Sequence, residues 1–224
     1  LLSYSGNTSE LKNIIKYGPE WGFHLNNSKS NLIIAGGQEQ VQHLFSNHLK
    51  EFNIKQNANF ECLNVPIGDN KFVVKEMENK VKKLFIEIDK IHSLNDVHIQ
   101  LKIMKDYINV SKLIYWFRNL SPTLSQDIAY KYDIKLRGCA NEMFGWVMND
   151  MQFMQISLSA KRDGFGLRTG LDKISAINLP AISAAMKISK NLVHSEMFNN
   201  YKHIIQQQID WCIADYNSRV FDRH

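Results

Sequence analysis

The sequence predicts an α+β chain that is mostly α, a small α/β piece followed by a helical bundle. Three observations carry this prediction. Ahead of Gly68, short apolar runs stopped by glycine or proline alternate with helical patterns. Beyond Gly68, apolar residues recur at spacings of three and four almost to the end. Apolar residues make up 44% and charged residues 22%, enough to build a core in a chain of 224 residues.

Thr8 to Tyr17 reads as a short helix, with Leu11, Ile14 and Ile15 on one face, and Gly18-Pro19 ends it. Asn31 to Ala35 is a compact apolar run before Gly36-Gly37 and suits a buried strand. Gln38 to Phe52 is helical in pattern, and Phe60 to Val65 is a second strand closed by Pro66 and Gly68. The boundary between the two parts falls near Gly68 to Asn70, giving domains of residues 1–69 and 70–224.

After it, Val73, Met77, Val81, Leu84, Phe85, Ile88 and Ile91 form an amphipathic stripe on a helix from Phe72 to Leu94. Lys75, Lys80, Lys82, Lys83 and Lys90 occupy the rest of that helix. Asn95 or Asp96 then caps a helix running through to Phe117 and stopping before Pro122. Its two apolar stripes, Val97-Leu101-Met104-Ile108 and Ile99-Ile103, predict a central bundle helix buried between neighbours. Further helices are predicted over Leu124 to Phe144, Leu171 to Ser189 and Tyr201 to Tyr216. The glycine-spaced stretch Lys161 to Gly170 is read as a loop, and Trp116, Trp146 and Trp211 as bundle core.

The net charge is +5, and its excess lies mainly between Asn70 and Leu120, where ten basic residues face six acidic ones. Such a bias is compatible with a phosphate-bearing partner and equally with a solvated surface. Cys62, Cys139 and Cys212 are odd in number and far apart, which argues for a reducing compartment and against a disulfide framework or a structural zinc. There is no apolar run long enough to span a bilayer, so no membrane partner is expected. No nucleophile elbow and no phosphate-binding glycine-lysine loop is present, and Asp133, Asp150, Asp163 and Asp172 stand singly. No self-sufficient active site and no metal site emerges from the residues.

Three stretches in order resemble the reverse transcriptases of non-LTR retrotransposons. Trp21-Gly-Phe-His-Leu-Asn-Asn-Ser-Lys-Ser30 is similar to the segment that follows the family's paired catalytic aspartates, with Gly22, Phe23, Leu25, Asn26, Lys29 and Ser30 matching. Glu61-Cys-Leu-Asn-Val-Pro-Ile-Gly68 resembles the turn that grips the primer end, with Asn64 where the family has glycine. Asparagine tolerates a positive φ better than any residue but glycine, so the turn is expected to survive. Lys112 to Arg118 with Ser121-Pro122 is similar to a helix end of the family. Gln155 to Leu158, followed by Gly164 and Gly166-Leu-Arg168, resembles its glutamine segment and glycine-rich loop; here Ser159 and Asp163 replace a proline and a glycine.

The resemblance implies a fragment of an RNA-directed DNA polymerase: the edge of the palm over residues 1–69 and the helical thumb over 70–224. The catalytic aspartates would precede Leu1, on upstream palm and fingers of the same polypeptide. This chain alone would then be inactive and hold no cofactor, with Mg2+ expected for the intact polymerase. Lys29 would sit near the leaving pyrophosphate as a catalytic group. Leu63, Asn64, Val65 and Pro66 would form the primer grip. Lys75, Lys80, Lys82 and Lys83 would meet the phosphates of an RNA template and DNA primer duplex, with Arg118, Lys161, Arg162 and Arg168 as further contacts. The expected location is intracellular, nuclear if the parent element functions. Two other readings stay open: a non-catalytic nucleic-acid-binding module, domesticated or decayed, and a helical scaffold for protein partners.

Overall fold

The computed structural model describes residues 8–24, 26, 31–32, 55–56, 59–108, 110–192 and 195–221. It is an α+β chain that is mostly helical, and it divides into two compact units, Leu1–Val73 and Val74–His224.

In the first unit, helix α1 (Thr8–Tyr17) runs into a 3-10 turn at Gly18–Trp21. Gly22 ends that turn at φ 76°, a left-handed conformation that glycine adopts without a Cβ penalty. Strand β1 (Asn31–Leu32) pairs in parallel with β2 (Lys55–Gln56). The expected helix from Gln38 to Phe52, and the rest of the strand expected to Ala35, lie outside the described residues. The strand expected from Phe60 to Val65 is instead a hairpin: β3 (Phe60–Cys62) pairs antiparallel with β4 (Val65–Ile67), with Cys62 opposite Val65. Leu63 and Asn64 both adopt positive φ, 48° and 65°, which folds the chain back in two residues. Apolar patterning carried no sign of this reversal, because Leu63 reads as a strand residue.

Helix α2 (Asn70–Ile91) follows at once. Asp69 caps it, accepting the Phe72 N–H at 2.8 Å, while its own N–H donates to the Asn59 side chain. A Cβ on Gly68 would fall 2.0 Å from that Asn59 oxygen, so only glycine fits there.

The second unit holds most of α2, then α3 (Val97–Asp106), α4 (Ser111–Phe117), α5 (Pro122–Phe144), α6 (Asp150–Ser157), α7 (Ile174–Leu192) and α8 (Ser195–Phe221). The buried stripe of α2 is Met77, Val81, Leu84, Ile88 and Ile91, as the periodicity requires. The helix expected across 95–117 is two helices. Tyr107-Ile-Asn-Val110 joins β-branched residues to an asparagine, all weak helix formers. Ile108 and Val110 turn into the core, and the Tyr132 hydroxyl donates to the freed Ile108 carbonyl at 3.2 Å.

Nor is that region the centre of the bundle, since Val97 and Ile99 face solvent. The centre is α5, which meets α3, α4, α7 and α8 and buries Ile128, Ala129, Tyr132, Leu136, Cys139, Ala140 and Met143. Ser121 caps it and Pro122 opens it, a pairing suited to a helix start because proline there forfeits no intrahelical bond. Helix α6 was not expected; Asn149 and Gln152 close it with a reciprocal capping box. Helix α8 is longer at both ends than expected. Trp116 is buried, but Trp146 is half exposed, its ring tilted against Phe144 at 5.5 Å at the end of α5 rather than inside the core. Among the described residues, no helix is long and apolar enough to cross a membrane.

Candidate functional site

Three features of the chain present groups that were singled out in the sequence. The first is the β3–β4 turn. Leu63 and Asn64 are exposed at its tip, while Val65 and Pro66 are buried behind them. Pro66 lies opposite Glu61 in the short ladder. The turn thus offers backbone and two side chains outward on a buried footing. Lys29 lies outside the described residues.

The second is the outer face of α2. Taking 100° per residue, Lys75, Lys82, Lys83 and Lys90 fall on the arc opposite Met77 and Leu84, and all four are exposed. Lys75 and Lys90 are about 22 Å apart along the axis, at 1.5 Å per residue. Lys80 sits at the margin of the buried stripe and is half-buried, so it belongs to this row less than its neighbours do. Three of the four acidic residues of α2 are drawn away to other helices. Glu78 takes Lys131 at 3.3 Å, Asp89 takes Lys135, and Glu87 takes Lys112. These surface pairs contribute little to stability, but they leave Lys75, Lys82 and Lys83 without a carboxylate partner among the described residues.

The third is a broad open groove of about 1800 Å³ in the second unit. Its floor is one stripe of α5, with Tyr130, Ile134 and Arg137 at helical spacing. Helix α6 forms one wall and the segment from Leu158 to Lys173 the other. That segment is held by its own backbone. The Ile156 carbonyl accepts the N–H groups of Phe165 and Leu167, and the Gly166 N–H donates to Leu158 at 2.7 Å. The Gln155 amide donates to the carbonyls of Arg162 and Asp163.

Its far end is pinned to α5 by Asp133, whose carboxylate accepts the N–H of Gly170 at 2.6 Å and of Leu171 at 3.0 Å. Gly170 is there because a Cβ would come within 3.1 Å of Ala129. Burial pushes the Asp133 carboxyl up to about 6, against the pull of those two N–H groups.

Basic side chains outnumber acidic ones seven to four around the groove. Each of the four acids is already engaged. Asp150 holds Arg137 at 2.6 Å, Asp106 holds Lys102 at 2.9 Å, Asp133 caps the backbone, and Asp172 accepts the Thr169 hydroxyl at 2.8 Å. Lys161, Arg162, Arg168 and Lys173 are exposed and have no carboxylate partner among the described residues.

Lys161, Arg162 and Arg168, expected from sequence as separate contacts, are therefore brought together. Arg118 is not with them; it lies beyond the end of α4, on the rim of a small cavity lined by α7 and α8. Lys173 and Tyr130 escaped the sequence reading, and Asp133 was set aside there as a carboxylate that stands singly. Asp133 in particular stands alone in the chain and gains its role only through residues 37 and 38 positions away. Among the described residues, no group of three or more His, Cys, Asp or Glu side chains is placed to hold a metal ion. Comparison of the chain with protein-family models, with curated protein sequences and with solved structures returned no match.

Proposed function

We propose that this chain is the palm edge and thumb of an RNA-directed DNA polymerase of the retrotransposon type, contributing primer-end positioning and duplex binding. The observation that carries the reading is how the backbone treats the three places where the sequence departs from the family pattern. Asn64 and Asp163 stand in place of glycines, and they take φ values of 65° and 58°, where a glycine is preferred. Ser159 stands in place of a proline, and it takes φ −66° with Leu158 before it at ψ 157°, the values a proline and its predecessor adopt. Each substitution thus keeps a backbone shape suited to the family residue. The matched Gln155 also has work in the loop, binding the carbonyls of Arg162 and Asp163.

In this reading the β3–β4 turn positions the primer end through backbone and shape. The outer lysines of α2 meet phosphates without reading sequence. The metal-binding carboxylates of the intact enzyme would belong to other parts of the polypeptide, so the chain by itself binds and does not synthesise.

The test is binding of an RNA–DNA heteroduplex as a function of salt. Neutralised phosphates release counterions in proportion to their number. Changing Lys75, Lys82 and Lys83 to glutamate is expected to lower the log–log salt slope by about 3 and to weaken binding at low salt. An unchanged slope and affinity would remove α2 from the duplex interface. Incorporation of nucleotides by the purified chain would contradict the assignment of the catalytic carboxylates elsewhere.

A further inference from the structure

The groove over α5 asks for an explanation that the duplex-binding reading does not supply. Its volume of about 1800 Å³ exceeds the roughly 300–1,000 Å³ of ordinary small-molecule pockets, and it is partly open to solvent. A polymer segment suits it better than a single small ligand. Its charge is a surplus of cations whose acidic neighbours are engaged elsewhere, so an incoming anion competes with no existing ion pair at Lys161, Arg162, Arg168 or Lys173. Two of these are guanidinium groups, which match phosphate oxygens in bidentate geometry.

The floor is not charged alone. The ring of Tyr130 is 58% exposed, and the Phe153 ring at the α6 wall is already covered by Arg137 at 5.7 Å. Tyr130 therefore leaves an aromatic face free, between a basic wall and an apolar one. A duplex hides the faces of its bases, whereas a single strand presents them, and base–aromatic stacking tolerates any sequence. An acidic peptide would use the cations and leave the ring without a role.

We propose that this groove binds single-stranded nucleic acid, with Lys161, Arg162, Arg168 and Lys173 at the phosphates and Tyr130 stacked on a base. The wall that carries the cations is built for constancy. Backbone bonds to Ile156 and Leu158 and the Asp133 clamp fix its course, so little ordering is required on binding. The proposal stands on the groove itself and does not rest on the polymerase reading.

The experiment uses the purified chain and a dye-labelled oligothymidylate of about 12 nucleotides, within the span such grooves accommodate. Binding is followed by fluorescence anisotropy from about 50 to about 200 mM salt. The paired change Arg162→Glu with Arg168→Glu is expected to weaken binding by more than about tenfold, with a shallower salt dependence. Tyr130→Ala is expected to weaken the single strand by about tenfold and leave an RNA–DNA heteroduplex unaffected, while Tyr130→Phe restores binding. The triple change on α2 is expected to leave oligothymidylate binding in place, which separates this site from the duplex interface.

Circular dichroism establishes that each variant is folded, and Arg162→Gln with Arg168→Gln replaces the glutamate pair if that pair unfolds. No binding of the oligothymidylate at about 50 mM salt would overturn the proposal. So would wild-type affinity in both arginine pairs, an unaffected Tyr130→Ala, or displacement of the strand by an equal concentration of oligoglutamate.

Discussion

The outer face of α2 and the groove over α5 are both basic, yet they reach that state in opposite ways. On α2 a regular helix sorts its lysines outward by period alone, and three of its four acids pair with Lys112, Lys131 and Lys135 on other helices. In the groove no single element supplies the charge. Lys161 and Arg162 come from a 3-10 turn, Arg168 from a loop and Lys173 from another 3-10 turn. They face one groove only because the segment bends back and is fixed to α5. The first surface is robust because each lysine depends on its own position in the helix. The second is cooperative, since its cations share one support.

The sharpest way to break this contrast is to remove that support. Asp133→Ala leaves the N–H groups of Gly170 and Leu171 without their buried acceptor. It should cost about 3 kcal/mol of stability, measured by urea denaturation. It should also weaken groove binding while the lysine row on α2 keeps its heteroduplex affinity. Equal loss at both surfaces would mean that the two do not differ in the way described.

A smaller effect comes from titrating the same group. Burial holds the Asp133 carboxyl at about 6, above its ordinary 3.8, so the folded state binds a proton between those values. The stability this contributes is complete below about 3.8 and is lost as the pH rises through about 6. Asp133→Asn removes the titration. The difference in urea midpoint between wild type and this variant should therefore change between pH 4 and pH 7 and be flat above it, because all other carboxylates cancel in the comparison. A constant difference across that range would show that Asp133 does not titrate as its burial implies.

Gln155→Ala tests the loop's own stitching. It removes an exposed amide that serves two carbonyls, and a loss of about 1 kcal/mol is expected, with groove affinity falling more than α2 affinity. The smallest effect carries a positive sign. Ser159→Pro suits the existing φ of −66° and the extended residue before it. It is expected to add about 0.5 kcal/mol by narrowing the unfolded ensemble. Thermal denaturation reads it as a slightly higher midpoint, and a lower one would mean that the Ser159 N–H has a role in the loop.

What could be read in advance follows from the same contrast. The helices α2 and α5 were legible because one face of each meets a core, and a buried face writes its period into the sequence. The lysine row on α2 was legible for the same reason, as the complement of Met77, Val81, Leu84 and Ile88. The break at Tyr107–Val110 left only a weak propensity signal, and what secures it is Tyr132, which lies a helix away in sequence. The turn at Leu63–Asn64 was legible only through the family resemblance, because patterning reads Leu63 as strand and propensity argues against a leucine in a left-handed conformation. Of the groove, the cations Lys161, Arg162 and Arg168 were visible as residues, but their convergence was not. It depends on Asp133 and Gly170, and neither residue carries a local signal of the other.

The two close glycine contacts at the ends of the groove wall have a consequence for how this protein can change over generations. At Gly164 a methyl group would strike the Leu158 carbonyl at 2.2 Å, and at Gly170 one would press on Ala129. The arch between them has a fixed length and almost no tolerance for added bulk at either foot. Between them Arg168 is exposed to solvent, whereas Leu167 is buried and the Phe165 ring stacks on Phe144 at 5.2 Å. Insertions and bulky replacements at the feet will be purged, while exchanges at Arg168 leave the frame intact. Such a structure varies its ligand by swapping side chains on a frame that stays still.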